Sequence, residues 1–253
     1  MNRIRLVLAY DGAPFKGWQS QPCGNTVQDH VEQVVAGITG EAVRVHGSGR
    51  TDTGVHALGQ VAHFDLPGNN RMGTDDWQRA LNSSLPPSVR ILHAEMAGQS
   101  FHARFSALGK TYRYEIDCGE VLHPLRCGRA WHHRGPLDPE RLRDACALYC
   151  GEHDFSAFAA NRSGERDEQD MTRVITSTHV DAGPGGVVVT FSGNGFLYRM
   201  VRLLVGGAVR VAEGREPLDW ISDLLSRVDS GKCQYCAPAA GLYLEKVEYP
   251  QSG

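Results

Sequence analysis

Apolar residues recur every second position over Ile4–Tyr10, then at helical spacing from Val27 through Val31, Val34, Val35 and Ile38. That switch of period, repeated along the chain, restricts the fold more than any other feature. Thr26 stands where a helix N-cap belongs, and Gly40 where the helix should stop. Val43–His46 and Gln60–Leu66 read as two further strands. Thr74–Leu85 reads as a second helix closed by Pro86-Pro87, and Val89–Met96 as a strand. The order is β-α-β-β-α-β, the ferredoxin-like or RRM-like unit.

A second set follows. Leu108–Ile116 alternates as a strand, Arg129–His132 as a short one, and Asp138–Cys150 reads as a helix opened by Asp138-Pro139. Val174–Asp181 and Val187–Ser192 form a hairpin through Gly183-Pro184-Gly185-Gly186. Phe196–Val211 reads as a long helix behind an Asn194 cap, Pro217–Val228 as another helix, and Leu242–Tyr249 as a closing strand. The expectation is an α+β chain of two ferredoxin-like halves, 1–105 and 106–253, in a pseudo-duplicated arrangement. Its sheets would be mixed but mostly antiparallel, with flanking helices. Residues 161–171 are polar and read as a loop.

No apolar run approaches the roughly 18 residues that span a bilayer, and the Met1-Asn2-Arg3 start passes straight into a strand. Seven scattered cysteines suggest reduced thiols. A cytoplasmic location and no membrane partner are expected. Net charge is −3, which by itself does not mark a nucleic-acid binder. Its distribution does more. No acid lies between Glu95 and Glu115, a stretch holding His102, Arg104, Lys110 and Arg113. None lies between Asp181 and Glu213, a stretch holding Arg199, Arg202 and Arg210. Such segregation can build a basic cleft on a mildly acidic protein.

Asp52 is the one acid between Glu41 and Asp65, in the glycine-punctuated run Gly47-Ser48-Gly49-Arg50-Thr51-Asp52-Thr53-Gly54-Val55-His56-Ala57. A carboxylate two residues from Arg50 favours its charged form, as a nucleophile or anion stabiliser does. The bland reading is an Arg–Asp pair bracing a loop. Asp-Thr-Gly is also the aspartic-protease tripeptide, but there is no second copy, and a neighbouring cation opposes the shared proton such enzymes need.

Phe101–Tyr114 interleaves aromatics with cations, which suits stacking on bases and contacts to phosphate, or simply a strand with two unlike faces. Arg199 and Arg202, three apart, share a helical face near a helix N-terminus. Cys233-Gln234-Tyr235-Cys236 is a lone CxxC without the further ligands a structural zinc requires, so no metal is expected there.

Seven segments in order resemble the tRNA pseudouridine synthase A family, over nearly the whole chain. They are Tyr10-Asp11-Gly12 with Gly17-Trp18-Gln19; Gly49–Ala57; Phe101–Ala107 with Tyr112-Arg113-Tyr114; Gly151–Phe155; Thr172–Ile175; Met200-Val201-Arg202; and Gly241–Leu244. The resemblance implies the pseudouridine synthase fold and an isomerase acting on uridines 38, 39 and 40 in the tRNA anticodon stem-loop. It also implies a homodimer sharing one RNA and no cofactor. In residue terms it makes Asp52 the nucleophile, Arg50 its partner, Arg202 a second cation near the carboxylate, and Tyr112 the ring under the target base. Arg104, Lys110, Arg113, Arg199 and His56 are expected to contact the substrate. Lys110-Thr111 stands where the family often has arginine, which weakens one expected phosphate contact. The reading from the residues alone that competes with this one is a non-catalytic RNA-binding protein of two RRM-like halves.

Overall fold

The structure is a computed structural model describing residues 3–67, 72–160, 170–226 and 231–250. The chain divides into two compact units, Met1–Leu108 with Tyr243–Gly253, and Gly109–Leu242.

In the first unit the chain runs β1 (Arg3–Tyr10), α1 (Val27–Thr39), β2 (His46–Gly47), β3 (His56–Asp65), α2 (Thr74–Ser84) and β4 (Val89–Ala97). This is the β-α-β-β-α-β order read from the sequence. Beta1 pairs antiparallel with both β3 and β4. The far edge of β3 is shared. Beta2 pairs with it at His63 and Ala62, and the last strand, β10 (Leu242–Glu248), runs parallel to it at His56 and Ala57. The closing strand, expected with the second half, therefore contributes pairing to the first.

Alternation puts Ile4, Leu6, Leu8 and Tyr10 of β1 on the covered face, with Phe64 and the buried faces of α1 and α2. Trp77 of α2 meets Phe64 edge-on at 5.4 Å between ring centroids. The capping box at Thr26 holds α1: its hydroxyl accepts from Asp29 N–H, and Asp29 returns a bond to the Thr26 N–H. The Val43–His46 strand shortens to two residues because Val45 N–H donates to Glu32 Oε1, at 2.9 Å, and not to a neighbouring strand.

The second unit carries β5 (Gly109–Asp117), β6 (Trp131–His132), α3 (Pro139–Ala147), β7 (Gly151–Asp154), β8 (Thr172–Gly183), β9 (Gly186–Gly193), α4 (Met200–Ala212) and α5 (Asp219–Ser226). Strands β5, β9, β8 and β7 are neighbours in that order, each pair antiparallel, and β6 runs parallel to β5. Tyr149, Phe155, Phe158 and Phe191 form an aromatic core. Asp138 caps α3 by accepting from Glu140 and Arg141 N–H. Two expectations are corrected here. Helix α4 starts at Met200, not Phe196, because the Asn194 side chain accepts from Val174 N–H at 3.0 Å and so tethers a strand instead of capping a helix. The strand at Gly151–Asp154 was not foreseen. The expected loop at 161–171 falls largely outside the described residues, as does the last part of the helix expected over 217–228.

On the face of the first sheet away from α2, His63 of β3 accepts the Ala103 N–H at Nδ1 (3.1 Å) and so ties residues 101–106 to the sheet. Burial, with Arg3, His102 and His46 nearby, lowers its pKa to about 4. The unfolded chain takes up that proton near pH 6.5 and the folded chain does not. Stability should therefore be full above pH 6.5 and fall, by up to about 1.4 kcal/mol per unit, as pH drops towards about 4. Chemical denaturation across pH 7 to 4 measures this. The slope should be shallower in His63→Gln, and an unchanged slope would remove His63 as its cause.

Candidate active site

The predicted site residues divide between the two units. On the first, the Asp52 loop joins β2 to β3 and is fixed from both sides. Thr51 is buried. Its carbonyl accepts the Trp18 N–H at 3.1 Å, and its hydroxyl lies 2.9 Å from the Tyr10 hydroxyl. Asp52 itself is half-buried, and its carbonyl accepts the Val55 N–H at 3.1 Å, closing a tight turn over Thr53-Gly54. Before it, Ser48 donates its hydroxyl proton to Gln60 Oε1 at 2.6 Å, while Gln60 Nε2 donates to the Gly49 carbonyl at 3.1 Å. The Tyr10 hydroxyl, wholly buried at the centre of this group, has its pKa pushed up to about 12 by burial, so it stays a neutral donor.

Two close approaches set the depth of the loop. A Cβ on Gly12 would lie 2.0 Å from the Val55 carbonyl oxygen, and one on Gly47 would lie 2.4 Å from Trp18 Nε1. The segments Tyr10-Asp11-Gly12 and Gly17-Trp18-Gln19, noted in the sequence as signatures, are thus the walls that hold the Asp52 turn. This work was not legible from their composition, because every contact they make here spans tens of residues.

Arg50 is exposed, and its Nε donates to Gln19 Oε1 at 3.3 Å. His56, expected against substrate, is 2% exposed. Its Nδ1 lies 3.0 Å from the Gly12 nitrogen and 3.2 Å from Asp11 Oδ1, and Tyr243 stacks on its ring at 4.7 Å. It anchors the far end of the loop. Arg104 lies elsewhere on this unit, its guanidinium 5.8 Å from the centroid of the Phe105 ring.

On the second unit, β5 carries Lys110, Tyr112 and Arg113. Tyr112 is 8% exposed, and the edge of Phe196 meets it at 5.0 Å, fixing the plane of the ring. Arg113 faces the other way and pairs with Glu115 at 2.9 Å, whose other oxygen takes Arg126 at 3.2 Å. Its charge is thereby compensated. Arg202, in the first turn of α4, donates through Nε to the Ala237 carbonyl at 2.7 Å, while Ala237 N–H donates back to the Arg202 carbonyl at 3.0 Å. Arg199, at the N-cap, has φ +59°, the one non-glycine residue in the left-handed region among those described. Its guanidinium lies over the Tyr198 ring at 5.1 Å.

Cys233 is buried, and burial raises its pKa to about 11. Its Sγ lies 3.5 Å from the Leu203 carbonyl, so it packs as an inert thiol beside exposed Cys236. Among the described residues no group of histidines, cysteines and acids is arranged to hold a metal, and no helix is long and apolar enough to cross a membrane.

Comparison with known proteins adds to this geometry. The family model described as tRNA pseudouridine synthase matches residues 6–106 and 145–250. The chain is similar to tRNA pseudouridine synthase A of Akkermansia muciniphila, 48% identical over 99% of this chain and 96% of that one. It is also similar to tRNA pseudouridine synthase A of Solibacter usitatus, 42% identical over 98% of this chain and 100% of that one. A solved structure of a Cbf5-Nop10-Gar1 complex aligns at a TM-score of 0.33 and 13% identity, covering 82% of this chain and 54% of that one.

The glycine contacts yield a paired prediction. Gly12→Ala forces a methyl into the Val55 carbonyl and should cost about 1–3 kcal/mol. Gly37→Ala, within α1 and with open space at its Cβ, should gain about 0.5–1 kcal/mol. Urea melts of both variants check the pair. A Gly12→Ala protein as stable as the parent would mean that the close approach does not hold the loop.

Proposed function

The chain belongs to the tRNA pseudouridine synthase family, and on that premise we propose that it isomerises uridines 38, 39 and 40 of the tRNA anticodon stem-loop with Asp52 as its nucleophile. The observation that carries the assignment of Asp52 is the loop around it. Hydrogen bonds from Tyr10, Trp18 and Gln60 immobilise the residues on its N-terminal side, and a closed turn follows it. A group that must meet a carbon atom along a set trajectory benefits from such pre-organisation.

The reaction breaks the bond from C1′ to N1 and forms one from C1′ to C5. The C5 proton leaves to solvent and N1 gains one, so the product is an isomer of the substrate. The target base is flipped from the stem before this can happen. The Asp52 carboxylate adds to the nucleotide, and the detached uracil turns while held against a flat surface. Tyr112 supplies that surface: its plane is fixed by Phe196, and stacking tolerates rotation of a base about its normal. Arg202, its main chain and guanidinium both tied to Ala237, supplies a cation in fixed position. Lys110, Arg199 and Arg104 contact phosphates, and affinity falls with salt accordingly. The working form is a cytoplasmic homodimer, with two subunits sharing one RNA.

Tritium release from tRNA labelled at uridine C5 reads the chemistry directly. Asp52→Asn should fold and bind tRNA as the parent does, yet lose at least about a thousandfold in kcat, the scale expected on removing a nucleophile. Release at the parental rate would overturn the nucleophile assignment. Tyr112→Phe should keep KM and lower kcat; full activity would leave the hydroxyl without a part in the reaction.

A further inference from the structure

Four rings form a continuous array on the first unit, apart from the Asp52 loop. His46 of β2 lies opposite His63 of β3, and the two rings stack at 5.2 Å. His102 meets His63 edge-on at 4.6 Å and lies 5.6 Å from His46. Phe105 continues the array, 4.4 Å from His102. The inner member, His63, is 1% exposed, whereas Phe105 is 77% exposed and His46 is exposed as well. Phe105 is thus held on an imidazole base with most of its surface in water.

Local hydrogen bonds fix the chemistry of this array. His102 Nδ1 accepts the N–H groups of Arg104 and Phe105, at 3.1 and 3.3 Å, so in the neutral ring Nε2 carries the proton and donates. The same two bonds hold Phe105 in place. Charge around the rings is positive. Arg104 lies over Phe105, residues 96–114 contain no acid, and Asp65, the acid on this face of β3, is occupied by Arg3 Nε and Nη2 at 2.7 and 3.0 Å. Backbone amides take the Nδ1 atoms of His63 and His102, and among the described residues no group of side chains is arranged to hold a metal.

We propose that Phe105, His102 and His46 form a second RNA-contact platform, on which Phe105 stacks against an unpaired tRNA base other than the target uridine while the imidazole N–H groups and Arg104 meet the adjoining phosphate. An exposed ring inside a cationic surround fits a nucleotide, which offers a π-face and a negative charge together; an apolar protein surface offers neither. The proposal rests on the reading that the substrate is tRNA, and it assigns a position and chemistry for a contact outside the catalytic loop.

The test is steady-state tritium release with full-length tRNA, alongside filter binding of the same RNA and light scattering of each variant. Phe105→Ala should raise KM and Kd together by about tenfold or more, with kcat within about twofold, the range expected for losing one base–aromatic stack. Phe105→Trp should restore both, and Phe105→Leu should not, because leucine keeps apolar bulk but has no π-face. Arg104→Gln should lower the slope of log Kd against log salt by about one. An unchanged Kd in Phe105→Ala, or equal rescue by leucine, overturns the platform. So does a changed molar mass with unchanged RNA affinity, which would make this face a contact between protein chains. Absence of tritium release from the parent protein would sink the proposed reaction instead, and filter binding would still decide the platform.

Discussion

Two hydrogen bonds at Thr51 decide where Asp52 can be. The Thr51 carbonyl is held by Trp18 N–H and its hydroxyl by Tyr10, so the residue immediately before the carboxylate is fixed to two separate parts of the first unit. Trp18 can hold it only because Gly47 leaves room for the indole, and the following turn can close only because Gly12 leaves room for the Val55 carbonyl. Beta3 begins one residue after Val55 and is braced on one side by β1 and on the other by β2 and β10 in succession. The loop thus inherits the rigidity of a strand with both edges paired. Breaking any of these contacts costs little of the core but moves the side chain proposed as the nucleophile.

Much of the fold was legible because it is written in local signals. Alternation in β1, the spacing in α1 and the Thr26–Asp29 box need only neighbouring residues, and the elements formed close to where those signals lie. The errors have long-range causes. Asn194 satisfies every local requirement of an N-cap, but Val174 N–H, twenty residues away, takes its side chain, and α4 starts six residues later, after Arg199 turns through the left-handed region. Val43–Val45 has the composition of a strand, yet Glu32 on α1 claims the Val45 amide. Around the loop, the sequence marks Asp52 as the one acid between Glu41 and Asp65, whereas the contacts made by Tyr10, Trp18 and Gln60 carry no such mark. Their partners lie between about ten and fifty residues away, and no spacing rule encodes that.

Charge was readable in the same partial sense. Counting along the chain identified stretches without acids, but a cation's availability depends on what faces it across a sheet. Arg113 lies within an acid-free stretch and is nonetheless neutralised by Glu115, two residues further along the same strand face. Arg5, outside such a stretch, pairs with Glu95 on the neighbouring strand and lies over the rings of Phe101 and Tyr249. Arg104 and Arg199 differ: each lies against an aromatic ring and has no carboxylate partner among the described residues. Linear counting could not have sorted these two from Arg113.

Tyr112 and Phe105 are held in opposite ways, and the contrast indicates what each ring is suited to do. Tyr112 is almost wholly covered, with Phe196 against it, so its orientation costs no entropy at the moment a base arrives. That suits a surface on which a detached uracil must turn without escaping. Phe105 stands in water on His102, steadied by two backbone bonds but open over most of its area. Burying it releases apolar surface from water, a gain that appears only when a partner arrives. Such a gain strengthens ground-state and transition-state complexes alike, and so acts on affinity, whereas a ring already buried has little left to gain from binding and acts through geometry. On the proposed reading the division of labour follows from exposure: the covered aromatic would act on the chemical step, and the open one on how much RNA is held.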